Sequence, residues 1–140
     1  MTTSEPKYRV EIAERFTVVT LEPAFSTAQW GEIESLGTEL LNQLNGQKAP
    51  VLLVDLSALS YIGSSMVALV VRLWKAIKED GGRIAVINQH PVVLEVLQIA
   101  GLHKVWPIVK TRDEALAELG VRTRGKGGKK LGLMLTCLGL

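Results

Sequence analysis

Ser64 and Ser65 are the residues of this 140-residue chain best placed to do chemistry. The apolar run Val51 to Val54, closed by Asp55, reads as a buried strand, and after a loop Gly63-Ser64-Ser65 opens a strongly apolar helix. Two adjacent hydroxyls therefore stand at a helix N-terminus, beyond the carboxyl end of a strand. A serine in that position can attack a substrate, cap the helix or accept a phosphate. Attack requires a base, and the only histidines are His90 and His103, which flank a helix predicted over residues 91–100. Nothing in the pattern brings either to Ser64, and Ile62-Gly63-Ser64-Ser65-Met66 lacks the second glycine of a nucleophile elbow. No catalytic residue is assigned.

Capping and phosphate acceptance both stay open. Serines commonly cap helices. A helix N-terminus also has free N–H groups and a positive dipole end, so it tolerates an added phosphate. That phosphate would bring roughly two negative charges to a neutral, apolar neighbourhood. Ile62 and Met66 flank the serine and are expected to be exposed contacts for a partner, together with Gly63 and Ser65.

Metal and cofactor chemistry find no support. His90, His103 and Cys137 show no ligand spacing. Gly81-Gly82 is a helix stop, and the glycines around Lys126 follow no strand and lack phosphate-loop spacing.

The elements that must hold Ser64 in place follow from periodicity. Tyr8, Val10 and Ile12 alternate with Arg9 and Glu11, and Phe16 to Leu21 forms a second strand, so a hairpin is expected. Ser26 and Gln29 fit a capping box ahead of a helix with Ile33, Leu36, Gly37, Leu40, Leu41 and Leu44 on its apolar side. The strand 51–55 has no alternation, which marks cover on both faces. The helix from Ser64 to Glu79 is predicted to bury Val67, Val70, Val71, Trp74 and Ile77, with Arg72, Lys75 and Glu79 wet. Further strands are read at 83–87 and 105–109, the latter an edge because of Pro107. A last helix opens on the capping box of Thr111 and Glu114. The order ββαβαβαβα implies an α/β fold with a mixed, mainly parallel sheet of four to five strands and about four helices over residues 7–120.

Residues 121–140 differ. Arg122, Arg124, Lys126, Lys129 and Lys130 lie among glycines, and LGLMLTCLGL follows. This basic, then apolar, tail is expected to be mobile, an accessory segment that docks on the domain or a partner, with contact to a membrane surface as the sharper alternative. The formal charge is +2, and the rest of the chain is mildly acidic once those five residues are set aside, which argues against direct nucleic-acid binding. A single cysteine, no leader-like N-terminus and no long apolar run point to a cytoplasmic protein.

Residues 55–116 closely resemble the STAS domain, and more narrowly the bacterial anti-sigma-factor antagonists. The resemblance rests on the D-L-S-x-L-S-x-I-x-S-S core at Asp55 to Ser65, the Gly81-Gly82 turn before the next strand and I-A-G-L-x-K-V at Ile99 to Val105. It implies a protein-binding switch and not an enzyme. In such antagonists an anti-sigma factor, itself a serine kinase, phosphorylates one serine at the start of the helix after the central strand. The unphosphorylated antagonist sequesters the kinase, phosphorylation releases it, and a phosphatase resets it. The family's Asp-Ser-Ser-Gly motif falls on Gly63-Ser64-Ser65-Met66. The resemblance therefore implies Ser64 as phosphoacceptor, with Ser65 and Ser60 as alternatives. A second function of a different class is a non-phosphorylated STAS scaffold or adaptor, in a signalling assembly or beside a membrane transporter.

Overall fold

A computed structural model describes residues 7–27 and 29–121, without the side chains of Ser26 and Thr27. Residues 122–140, where the tail is read, lie outside the described residues. Strand β1 (Tyr8–Ile12) pairs antiparallel with β2 (Thr17–Leu21), Val10 opposite Val19. The Ala13 amide donates to the Phe16 carbonyl at 2.8 Å and closes the hairpin. Strands β3 (Val51–Asp55), β4 (Arg83–Ile87) and β5 (Ile108–Val109) then add in parallel, giving a five-stranded sheet in the order β1-β2-β3-β4-β5. The helices are α1 (Trp30–Leu44), α2 (Ser64–Glu79), α3 (Pro91–Ile99) and α4 (Arg112–Glu118). The expected order and mixed α/β class are both found.

Alternation along the central strands assigns each residue to a face. Val19, Leu52, Val54, Ile84 and Val86 form one apolar layer with α1, α2 and α3. Val18, Leu53, Ala85 and Ile87 point the other way, beneath Ala115, Leu116 and Leu119 at α4. Both faces of β3 are thus covered, which is why its sequence shows no alternation.

Four expectations need correction. Helix α1 begins at Trp30, not near Ser26: Pro23–Thr27 is a separate 3-10 turn, anchored by buried Phe25. The box forms one step later, with Glu32 Oε1 accepting from the Gln29 amide at 2.9 Å. Ile12 does not continue the inward alternation; it ends β1 at the hairpin turn and is 58% exposed. The last strand is only Ile108–Val109, because Leu102–Lys104 forms a 3-10 turn that buries Leu102, and Trp106 turns into the core. Finally, α2 buries Met66, Leu69, Val70, Leu73 and Ile77, while Val67, Val71 and Trp74 are half-buried. Helix α2 is flanked on both sides, by α1 and by Trp106, whose ring centre lies 5.9 Å from that of Trp74. More of its surface is therefore apolar than a single stripe requires.

Two features fix where α2 lies. Its C-terminus closes with the Gly82 amide on the Ile77 carbonyl (2.7 Å) and the Gly81 amide on the Lys78 carbonyl (3.0 Å), the Schellman arrangement. Gly81 takes a left-handed φ of 77° there, and a Cβ on Gly82 would lie 2.4 Å from the Pro50 carbonyl oxygen. On α1, buried Gly37 leaves the room that Leu69 and Arg72 of α2 occupy, since a Cβ there would lie 3.0 Å and 2.8 Å from their side chains. Arg72 Nη2 donates to Thr38 Oγ1 at 3.2 Å across the same contact.

Candidate functional site: the first turn of helix α2

The loop from β3 to α2 starts from Asp55. Its Oδ1 accepts from the Ser57 amide (2.9 Å) and from Ser57 Oγ (2.6 Å), which turns the chain out of the strand. Leu56, Leu59 and Ile62 are then buried at every third position, and Met66 and Leu69 carry that spacing into the helix. The loop is pinned through its apolar side chains, so the polar residues between them point outward.

Ser64 is the first residue of α2 and is exposed. Its N-cap is Gly63, with φ −101° and ψ 179°, which has no side chain to offer. The amides of Met66 and Val67 both reach the Gly63 carbonyl at 3.1 Å. The amides of Ser64 and Ser65, and both hydroxyls, make no hydrogen bond to a described residue. The first turn of α2 holds no acid, whereas that of α1 holds Glu32 and that of α4 holds Asp113 and Glu114. The positive end of the α2 dipole is thus left uncompensated.

Ser65 and Gly63 are half-buried, and Ser60 lies exposed in the preceding loop. Ile62 and Met66, expected as exposed contacts, are only 2% and 4% exposed. They belong to the apolar series that fastens the loop and the helix to the sheet, so neither can offer its side chain to a partner. The aromatic groups at this edge are others. Tyr61 is 59% exposed, and it lies beside Gly63, its hydroxyl 3.8 Å and its ring 3.9 Å from where a Cβ would be. Trp30, 53% exposed, opens α1 and borders a shallow depression with Ala68 and Arg72 of α2. Ser64, Ala68 and Arg72 recur every fourth residue and are all exposed, forming one outward stripe. Spacing at i, i+4 and i+8 could have revealed that stripe; the exposure of Trp30 and Tyr61 has no signature in the sequence.

His90 lies at the N-cap of α3 and His103 in the 3-10 turn after it, and neither is hydrogen-bonded to Ser64. Among the described residues, no group of His, Cys, Asp and Glu could hold a metal ion. Among them, too, no helix is long and apolar enough to cross a membrane.

The first turn of α2 thus presents an exposed hydroxyl at a helix N-terminus, and known proteins resemble the chain that carries it. An anti-sigma F factor antagonist from Paenibacillus polymyxa is 33% identical over 70 residues, 50% of this chain and 60% of that protein. BtrV of Bordetella bronchiseptica, assigned as an anti-sigma factor antagonist, is 31% identical over 84 residues, 60% of this chain and 72% of that one. The matched segment thus spans less than two thirds of the first relative's length. Among solved structures, an anti-sigma-factor antagonist (STAS) domain protein from Planctomyces limnophilus superposes with a TM-score of 0.70 at 33% identity, covering 81% of this chain and 97% of that one. The family's own sequence pattern matches over residues 7–115, from the first strand of the hairpin into helix α4, and with the five-stranded sheet and the α2 edge in place the chain belongs to the STAS domain family.

Proposed function

We propose that this protein is an anti-sigma-factor antagonist whose partner is an anti-sigma factor with serine kinase activity, and that Ser64 is the switch. The observation that carries this reading is the first turn of α2: an exposed hydroxyl, two unbonded amides and no acid. A phosphate on Ser64 would meet those amides and the dipole end, so the helix would tolerate it. The same phosphate would place roughly two negative charges between Tyr61 and Ala68, where a docked partner would have to desolvate them. The relatives named as antagonists support the partner class.

The two departures from the family motif are compatible with this role. Met66, in place of the motif's glycine, directs its side chain into the core and leaves the acceptor surface clear. Gly63, in place of its acid, has room for a larger side chain, since a Cβ would meet nothing nearer than 3.8 Å. The protein works by binding and not by catalysis, in the cytoplasm, with a phosphatase to remove the phosphate. Residues 7–120 act as the domain and 121–140 as an accessory tail; a chain ending at residue 120 is expected to melt at the temperature of the full chain.

The test uses the anti-sigma factor kinase of the same organism. Incubation with ATP is expected to label Ser64, and Ser64→Ala to abolish the label. Label on Ser60 or Ser65 would move the switch. Ser64→Asp is expected to weaken the kinase complex at least ~tenfold, about 1.4 kcal/mol, while Ser64→Ala binds as wild type. Equal affinity of the two variants would instead favour a scaffold that is not switched.

A further inference from the structure

The amino ends of β2, β3 and β4 border a cleft of about 720 Å³, at the end of the sheet opposite Ser64. Three cations line it, each from a different connection. Arg15 comes from the β1–β2 turn, Lys48 from the approach to β3, and Arg83 from the first position of β4. Thr17 pairs with Leu52 and Val51 with Arg83, so the register brings the three approaches to one rim. Neighbouring strands lie about 4.8 Å apart, which makes that rim roughly 10 Å wide from β2 to β4. Arg15 and Lys48 are exposed, and their side chains form no ion pair or hydrogen bond with a described residue. Arg83 donates to the Leu119 carbonyl, a neutral partner that leaves its charge uncompensated. Glu14 is the only acid among the lining residues. The connection that carries Lys48 is also strained. Ala49 takes a left-handed φ of 49°, the only positive φ of a non-glycine among the described residues. Its amide is held on the Asp80 carbonyl at 2.9 Å, and the Arg83 amide on the Pro50 carbonyl at 2.9 Å. Backbone strain that the surroundings over-determine in this way collects at binding sites.

We propose that this cleft binds a small oligophosphate, a molecule with two or more phosphate groups in series. Its volume is that of a small-molecule site. The guanidinium forks of Arg15 and Arg83 match phosphate oxygens in pairs, and Lys48 adds a compact charge. Three cations spread along a rim of that width suit a chain of phosphates better than a single one. Ile12, 58% exposed, and half-buried Phe16 form an apolar wall beside Arg15, on which an organic group attached to the chain can rest. A nucleic acid or an extended acidic peptide needs cations that continue along its length, and among the described residues the lining holds no cation besides these three.

The test is titration calorimetry of the full chain, without a kinase, using tripolyphosphate and, separately, ATP. One-to-one binding is expected, together with a rise in melting temperature. The double Arg15→Gln/Lys48→Gln is expected to weaken binding of both probes at least ~tenfold, since it removes two charged donors. The double Lys75→Gln/Lys104→Gln makes the same change of charge elsewhere on the domain and is expected to bind as wild type. So is the triple Lys126→Gln/Lys129→Gln/Lys130→Gln. Circular dichroism checks that each variant remains folded. Tighter binding of ATP than of tripolyphosphate supports a site that also holds an organic group on the Ile12–Phe16 wall, and equal binding supports one that holds the phosphates alone. Absence of binding, unchanged binding by the Arg15/Lys48 double, or an equal loss in either control would overturn the proposal. Ser64→Ala is expected to bind both probes as wild type, and a loss there would move the site to the α2 edge and overturn it as well. Phosphorylation of Ser64 is read in a separate assay, so either reading can fail while the other stands.

Discussion

The two faces of the sheet are covered very differently. On one, α1, α2 and α3 bury a continuous layer that extends from Phe25 and Leu36 through Leu52 and Leu73 to Leu97 and Trp106. On the other, the seven-residue α4 and the adjoining Leu119 cover Val18, Leu53, Ala85 and Ile87. The proposed switch, Ser64, is on the thick side. Helix α2 is held on its flanks by α1 and by Trp106, and at its C-terminus by the Gly81-Gly82 closure, so the first turn is presented from a rigid body. A serine whose charge state is to be read by a partner needs such a platform, because a yielding helix would absorb the signal as local motion.

The largest expected effect tests the thick layer. Leu73, 1% exposed at the middle of α2, is expected on replacement by Ala to cost about 3 kcal/mol in urea unfolding. Leu116 of α4 is 5% exposed beneath a single short helix, where neighbours can collapse into the space, so Leu116→Ala is expected to cost nearer 2 kcal/mol. If Leu116→Ala proved as costly as Leu73→Ala, the two faces would be energetically equal and the comparison would fail. Hydrogen exchange sharpens it: the α4 amides are expected to exchange through local opening well before those of α2. Next comes the α4 cap. Thr111 Oγ1 accepts from the Glu114 amide at 3.1 Å, and Thr111→Ala is expected to lose about 1 kcal/mol and to speed exchange in α4 alone.

The smallest effects are at the β1–α1 edge and depend on pH. Tyr8 donates to Glu39 at 2.5 Å, and that bond, with burial and the carboxylate charge, holds the phenol above its ordinary range. The contribution is present below the ordinary tyrosine range and is lost as pH rises through the raised folded value. Tyr8→Phe is therefore expected to flatten the alkaline limb of the stability profile by less than ~1 kcal/mol. Glu32 behaves oppositely. Hydrogen bonding to Lys7, then to the Gln29 amide, lowers it, so its contribution is present above the ordinary carboxylate range and fades as pH falls through the lowered value. Glu32→Gln is expected to remove that acid limb while leaving the alkaline one intact.

The order of elements was legible because each strand and helix has its own punctuation. Helix α2 starts at Ser64 and ends at Asp80-Gly81-Gly82 as its sequence suggests. Helix α1 does not start at its apparent box, since buried Phe25 holds a separate turn before it and Gln29 with Glu32 forms the cap instead. At the candidate site, the position of the serine could be read and its surroundings could not. Ile62 and Met66 are buried because one apolar series at 56, 59, 62, 66 and 69 crosses the boundary between loop and helix, a continuity that neither segment's own pattern shows. Trp30 and Tyr61 reach the surface only because of how α1 and that loop sit against α2, a tertiary fact with no local pattern.

The three tryptophans fall at three depths: Trp30 half in solvent on the rim of the α2 surface, Trp74 partly covered beneath Lys78, and Trp106 enclosed. The protein therefore has an intrinsic optical reporter. Occlusion of Trp30 by a docking partner would move its emission to the blue and shield it from iodide quenching, while Trp106 supplies an internal reference. The binding state of the α2 edge can be followed by fluorescence with no label attached.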